Sequence, residues 1–517
     1  MKDRYPASAT GASPYEARAL IAIVFAAALL RLFRLGYQSL WVDELFTLIV
    51  ATPKPGYPIG QLLLHNIHGP LHTFVVYLCR SVSEADAWLR LPSALAGVVA
   101  VPLVYAWVRP RLGARVALWA AFLLAVSPLH VHYSQELRNY AFAVCFVLAA
   151  CVQLDRLVAD WSRRRAVGLA VLVAASVLCN FSAAFVFVAQ TFTFFRADGL
   201  SRRSLRRWAA VAGLALVLMS PWIYRVTTYV DLQKLATPVM PGELEPGERL
   251  RGETTFRLES IPYAAYGYSA GLALGPSLRE LHTDASLATV LRRHFVVVAW
   301  VALVFAAPFL LGLRAVLRRR GRWGVAEIAL YTAVPLACTL FLNWQNAKAF
   351  NVRYVIVGLP AYLTFVAAGV GSLGGVRRWM SGGLVALTCA WSLGNHYFNP
   401  RYAKEDVKRA LVETERRMRP GDCLFAPTVW QVVEHYQRVD APVHYVFAAA
   451  PEAGAAQLAE MFATCPTFWY LRARPWVDDP AGVLRARIEA RCDVVDRFER
   501  PGVEVIEYRV RHAGDGE

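Results

Sequence analysis

Charge is scarce in this chain: Asp, Glu, Lys and Arg make up 18% of its 517 residues, against 56% hydrophobic. With a positive mean hydropathy and apolar runs recurring from residue 19 to residue 391, that shortage excludes a soluble enzyme. It predicts an integral membrane protein whose spans are helices. The charge that is present leans basic, at a formal +17, yet no basic domain or arm collects it. The cations fall in short clusters between apolar runs, at 109–115, 163–165, 202–207, 314–322 and 377–378. Cytoplasmic loops carry such clusters because Lys and Arg resist translocation and meet anionic headgroups, so nucleic acid is not an expected partner.

Other absences narrow the reading further. No small-residue cleavage site follows the apolar stretch 19–30; Arg31, Phe33 and Arg34 stand there instead, which predicts an uncleaved first helix. No internal repeat is visible, which weighs against an inverted-repeat transporter. Cysteine is nearly missing from polar sequence. Only Cys423, Cys465 and Cys492 lie in the C-terminal tail, enough for one disulfide and an odd thiol, and the spacing does not choose the pair.

Beyond the first helix, spans are expected at 87–108, 114–130, 139–154, 166–179, 181–195, 208–224, 295–313, 325–342, 352–373 and 382–394. Residues 70–79 are apolar but too short to cross. If they spanned, every later basic cluster would move outside; as a helix lying on or re-entering the membrane, they leave all the clusters inside. The result is about eleven spans, with a cytoplasmic N-terminus and an external C-terminus. The expected fold is an α-helical polytopic membrane domain, residues 1–395, with juxtamembrane helices in its first outer loop. A small extracytoplasmic α/β domain follows over residues 396–517. Within it, 405–418 reads as helix, Pro420-Gly421-Asp422 as a turn, and 468–471 and 503–508 as strands.

This parity gathers the chemically interesting residues on one face. Asp43 and Glu44 lie just beyond the first span, flanked by Trp41 and Phe46. Acids at the start of a surface helix favour its dipole, but a carboxylate in a partly desolvated pocket also gains proton affinity and can act as a general base toward a hydroxyl. A second group runs from Ser127 to Tyr140 and contains His130, His132, Tyr133, Gln135, Glu136 and Arg138. Interfacial packing is one reading of it; the functional one is an anion held by Arg138 and oriented by Glu136. In the third, Lys348 and Arg353 with Tyr354 sit outside, where the positive-inside rule disfavours cations, and so point to a specific anion such as a buried phosphate. Arg90, Arg31 and Arg34 share that argument more weakly. His65, His68 and His72, with Glu136, are the candidates for a divalent metal, although Gly69-Pro70 interrupts the helix spacing and hydrogen bonding to substrate is the favoured role. No cofactor is required by the pattern. The outer loop 225–294 carries Tyr263, Tyr266, Tyr268 and Glu259, whose rings suit either interfacial packing or sugar stacking.

Trp41-Val-Asp-Glu44 resembles the aspartate-glutamate motif of the membrane glycosyltransferases with the C-type (GT-C) fold, especially the protein O-mannosyltransferase-like family 39. His68-Gly-Pro-Leu71 is similar to that family's His-Pro-Pro-Leu segment, with Gly69 in place of a proline. Leu89-Arg-Leu-Pro-Ser-Ala-Leu-Ala-Gly97 is similar to the stretch that follows, and Tyr133-Ser-Gln-Glu136-Leu-Arg138-Asn-Tyr140 to its Ser-Gln-Glu-x-Arg-x-Tyr pattern. Arg353-Tyr354 with Pro360 resembles its late Arg-Tyr element, and Lys404-Glu-Asp-Val the start of a bacterial extracytoplasmic tail. Lipid A aminoarabinose transferases share the architecture but usually carry an acid near the position of His68.

The resemblance implies an inverting transferase at the outer face of the bacterial cytoplasmic (inner) membrane. It would use a polyprenyl-phosphate sugar, such as an undecaprenyl phosphate one, as lipid donor, and a protein, glycolipid or polysaccharide as acceptor. Asp43 would be the base and Glu44 its support. Arg138, Lys348, Arg353 and Arg90 would meet the donor phosphate, while His68, His132, Tyr133, Gln135, Glu136, Tyr140 and Tyr354 would support the site or bind acceptor. The competing class is a transporter or flippase of a polyprenyl-phosphate-linked or other anionic lipid, whose charges should line a path between both faces rather than gather at one.

Overall fold

The computed structural model describes residues 13–53, 69–229, 258–283, 287–345, 350–445, 451–479 and 482–511. Helix α1 (Pro14–Leu32) is started by Ser13, whose hydroxyl accepts from the Glu16 N–H, and by Pro14 in its first turn. Among the described residues, two short helices follow in the expected outer loop: α2 (Val42–Val50), which carries the acid pair in its first turn, and α3 (Pro70–Arg80). The long helix α4 (Asp86–Leu112) ends at Gly113, whose φ of 86° turns the chain directly into α5 (Ala114–Val126). Pro128 follows Ser127 and opens α6 (Pro128–Ser134), bent 55° from α5, before α7 (Tyr140–Ala159) returns.

Every expected span falls on helical backbone. By length and composition, however, five helices among the described residues could cross a membrane alone, or six if the bent α5–α6 pair counts as one. The expected eleven is larger for two reasons. The helix Phe295–Trp344 carries two of the expected spans, joined at Gly321 with its φ of 65°. Others are short or begin as 3₁₀ turns, such as Phe181–Phe185 before the 13-residue helix Val186–Asp198.

Close packing is set by glycine where helices touch through backbone. A Cβ on Gly312 would lie 1.8 Å from the Phe365 carbonyl oxygen, and one on Gly369 would lie 1.7 Å from that of Pro308. On the side of the basic loops, buried Arg111 forks onto Asp155 at 2.5 and 2.6 Å and reaches Glu327 at 3.1 Å. These bonds tie together three helices that are far apart in sequence.

The tail forms a mixed five-stranded sheet in the order β2-β1-β3-β5-β4. β1 (Cys423–Phe425) pairs parallel with β2 (Val443–His444) and β3 (Thr467–Arg472), whereas β5 (Val503–Val510) runs antiparallel to β3 and to β4 (Cys492–Arg500). The expected helix and both expected strands are present, the helix as Val407–Arg417. A disulfide joins Cys423 to Cys465, and Cys492 is free and buried. One apolar core is shared between the segment around α2, Leu137 after α6, and the tail: Leu40, Leu45, Leu48 and Leu137 pack in the same cluster as Val407, Leu411, Trp469 and Val505. Burying those side chains together fixes the tail against α2.

Candidate active site at the junction of the acid helix and the tail

Glu44 is fully buried at the start of α2. Its Oε1 accepts from Arg90 Nε at 2.8 Å and from the Leu137 N–H at 2.7 Å, while its Oε2 accepts from Arg90 Nη2 at 2.7 Å. That oxygen also takes the Trp41 N–H at 3.3 Å, closing the first turn of the helix, and lies 3.2 Å from Lys404 Nζ. Burial would push the Glu44 carboxyl up, but the Arg90 and Lys404 charges outweigh it and hold it below the usual range.

Arg90 departs from its expected role. Its five N–H groups go to the two Glu44 oxygens and to the carbonyls of Leu35, Gln38 and Ser39. None is left for a phosphate in this arrangement, because a guanidinium has only five donors. Arg90 instead pins the loop between α1 and α2 onto α4. Arg31, equally buried, gives its Nη donors to the carbonyls of Ala27, Leu124 and Ala125 and to His130 Nδ1, while its Nε is buried without a partner.

Asp43 differs from its neighbour. Its side chain is 30% exposed, and its Oδ2 accepts from Arg353 Nη1 at 2.7 Å. Arg138, buried, donates through Nη1 to the Asp43 carbonyl at 2.9 Å and to Thr47 Oγ1 at 2.8 Å, and lies over the Tyr140 ring at 5.8 Å. Arg353 Nη2 reaches the Tyr354 hydroxyl at 3.3 Å. The Nε atoms of both arginines are buried without a hydrogen-bond partner. Two guanidinium groups, each with a donor to spare, therefore meet at one residue, Arg353 on its accessible carboxylate and Arg138 on its main-chain carbonyl. The cavity beside Arg138 is lined by Thr47, Gly69, His72 and Asn139 among others. Gly69 is needed there: a Cβ would fall 2.1 Å from the Leu178 carbonyl oxygen, which accounts for glycine at the position where the resemblance leads one to expect proline.

Glu136, also buried, accepts from Lys404 Nζ at 2.8 Å and pairs with His132 Nε2 at 3.3 Å through Oε1, while its Oε2 has no hydrogen-bond partner. Burial would raise its carboxyl; Lys404 and then His132 hold it low instead. Tyr133 packs between the His132 and Tyr140 rings, each at 4.9 Å. Gln135 caps the end of α1 through the carbonyls of Leu30, Arg31 and Phe33, and its Oε1 meets His396 Nε2 at 3.0 Å.

Asp43, Glu44, Arg90, Glu136, Arg138, Arg353 and Tyr354 thus converge with His132, Tyr133, Gln135 and Tyr140, whereas His65, His68 and Lys348 lie outside the described residues. Lys404 and His396 belong to the site and were not singled out as site residues from the sequence. A cation on the expected outer side at the head of the tail was the available signal for Lys404. His72 is buried against the Phe142 ring at 5.3 Å. Among the described residues, three metal-ligating side chains come together at Cys423, His444 and Cys465, a group that includes neither His72 nor Glu136, and two of its members form the disulfide.

Comparison with known proteins bears on the fold. The family model for dolichyl-phosphate-mannose-protein mannosyltransferase matches residues 67–224. No curated protein matches the chain in sequence. Among solved structures, ArnT from Cupriavidus metallidurans in the apo state aligns with a TM-score of 0.54 at 11% identity, covering 95% of this chain and 98% of that one. The same protein bound to undecaprenyl phosphate aligns at 0.53 and 12% identity, over 96% and 98%. Archaeal oligosaccharyltransferase AglB from Archaeoglobus fulgidus, in complex with an inhibitory peptide and a dolichol-phosphate, aligns at 0.50 and 14%, over 95% of this chain and 74% of its own. The chain therefore has the C-type fold of the membrane glycosyltransferases, the architecture it shares with lipid A aminoarabinose transferase.

Proposed function

We propose that this protein is an inverting glycosyltransferase that moves a sugar from a polyprenyl-phosphate donor to an acceptor hydroxyl at the outer face of the bacterial cytoplasmic membrane. The observation that carries this is the accessible Asp43 carboxylate, paired with Arg353 while Arg138 holds the main-chain carbonyl of the same residue, each arginine keeping a buried N–H donor to spare. The likeness in fold to a protein captured with undecaprenyl phosphate, and to one captured with dolichol-phosphate, supports the donor class. In this reading residues 1–395 hold the catalytic membrane domain, with the N-terminus cytoplasmic, and residues 396–517 form the extracytoplasmic tail.

The acceptor oxygen attacks the anomeric carbon from the side opposite the phosphate, and its proton passes to Asp43. The carbon–oxygen bond to phosphate breaks with its electron pair staying on the phosphate oxygen, so the lipid phosphate gains one negative charge. Arg138 and Arg353 meet that charge as it develops, and one displacement inverts the sugar carbon. Glu44, Arg90 and Lys404 hold α2 in place so that Asp43 faces the reacting carbon. Lys348 is a further proposed phosphate ligand. The purified protein, given candidate lipid-phosphate sugars and acceptors from its own envelope, should release free polyprenyl phosphate and inverted glycoside in equal amounts. Movement of intact donor across vesicles without transfer would overturn the reading.

A further inference from the structure

Asp43, the base of the proposed reaction, is already occupied. A carboxylate oxygen that is accepting from a guanidinium has to part from it before it can take a proton from another donor. The grip comes from Arg353, through Nη1 on Oδ2 at 2.7 Å. Arg353 is anchored on the other side of the chain from α2, at the start of the 3₁₀ turn Val352–Gly358, where the Asn351 side chain accepts its backbone N–H at 3.1 Å. Neither partner is sealed in: the side chains are 19% and 30% exposed, so the pair is reachable and exchangeable.

The charge balance around it is incomplete. Arg138 spends Nη1 on the Asp43 main-chain carbonyl and on Thr47 rather than on a carboxylate, and the Nε atoms of both arginines are buried and unpartnered. Buried donors without acceptors are costly, and a second anion between the two arginines would satisfy both. A phosphate presents more oxygens than a carboxylate and is matched by the guanidinium fork, so it competes well for Arg353.

We propose that the Arg353–Asp43 ion pair is a latch opened by the lipid phosphate of the donor. The phosphate takes Arg353 into its own hydrogen-bonded pair, and Asp43, released, becomes free to accept the acceptor's proton. Only hydrogen bonds are exchanged in this step. Donor therefore binds before acceptor is activated, and a hydroxyl or water that arrives at the donor-free site finds Asp43 Oδ2 engaged by Arg353. This rests on the reading of the site as a polyprenyl-phosphate site and names how that site is regulated.

The test is titration of the purified full-length protein with undecaprenyl phosphate. If the pair is a latch, Asp43→Asn binds the lipid about five- to tenfold more tightly than wild type, because Arg353 no longer leaves a carboxylate to meet the phosphate. The gain disappears when Asp43→Asn is made on an Arg353→Gln background, where there is no cation to release. It persists on an Arg138→Gln background, which weakens binding as a whole but leaves the latch intact. Equal or weaker binding by Asp43→Asn overturns the latch, as does an equal gain with Gln at 353, which would signal plain repulsion between Asp43 and phosphate. Failure of wild type to bind undecaprenyl phosphate at all overturns the donor assignment and the latch with it, so the two ideas fail in distinguishable ways.

Discussion

Lys404 Nζ stands 2.8 Å from Glu136 Oε1 and 3.2 Å from Glu44 Oε2, so the first segment of the tail closes a pair of buried carboxylates in the membrane domain. Its stem lies against Trp41, with the ammonium 5.6 Å from the ring centre. Arg474 approaches the same ring at 5.3 Å and holds Glu405 at 2.8 Å, which anchors the segment from the sheet side. Removing that ammonium leaves Glu136, among the described residues, with His132 as its remaining side-chain partner.

The expected consequence of Lys404→Met is a loss of about 3 kcal/mol of stability, the usual order for an uncompensated buried charge. Adding Glu136→Gln to that variant should recover part of it, since the charge needing compensation is then gone. Thermal unfolding of the two variants in detergent checks this. A double variant no more stable than Lys404→Met alone would refute charge compensation as the role of Lys404.

Asp43→Asn should lose at least about a hundredfold in turnover, the scale of a missing general base. Its unfolding temperature should stay near that of wild type, because this carboxylate is partly exposed. Near-normal transfer by this variant would remove Asp43 from the reaction. Arg138→Ala and Arg353→Ala should chiefly weaken donor binding, and unchanged donor titrations would count against their contact with phosphate.

Arg90 and Glu44 are expected to behave differently from Asp43. Both are almost wholly buried and paired with each other at 2.7 Å. Arg90→Met should therefore cost about 3–5 kcal/mol of stability, whereas Arg90→Lys should leave some of the pairing in place. Yield and unfolding temperature are the readouts. An Arg90→Met protein that folds normally but binds donor weakly would restore the phosphate role to Arg90.

Acid should loosen this junction. Glu44 and Glu136 are both held below the ordinary carboxyl value of 4.5. A group whose folded value is depressed contributes stability that is fully present above its unfolded value and is lost as pH falls through the folded value. Stability should therefore be flat above about pH 5 and should decline below pH 4.5, and Glu136→Gln should flatten that decline. A pH-stability profile of the two proteins decides it, and superimposable acid limbs would contradict the assignment.

The Cys423–Cys465 bridge closes a loop of 42 residues, so chain-entropy reasoning gives about 4 kcal/mol of stabilisation to the tail. Reduction should lower the unfolding temperature and expose two further thiols. Without reductant, thiol labelling of the unfolded tail should reach Cys492 alone among its three cysteines.

Much of this protein was legible in its sequence for reasons that belong to single segments. Apolar runs must bury their backbone polar groups in helices, so the positions of the expected spans follow from hydropathy alone. The short β-type runs 468–471 and 503–508 marked β3 and β5, and the acid pair beside the first span, with its motif, marked the candidate site. Spacing could not choose among Cys423, Cys465 and Cys492, because pairing depends on where β1 and the end of the helix Pro451–Thr464 meet. Nor did it separate Arg90 from Arg353. Both are cations on the expected outer side, and what distinguishes them is the number of donors each has already spent, a property of neighbours 46 and 310 residues away.

The chain by itself determined that this is a helical membrane protein with a small α/β tail, and gave the expectation that its candidate site residues gather at one face, since hydropathy, charge bias and local motifs act over a few turns. The tertiary structure alone decided which acid is accessible and which is locked, and that a lysine from the tail completes the acid centre. Burial and ion pairing depend on which distant segments are packed together, and the shared core of the first outer loop and the tail is what brings them there.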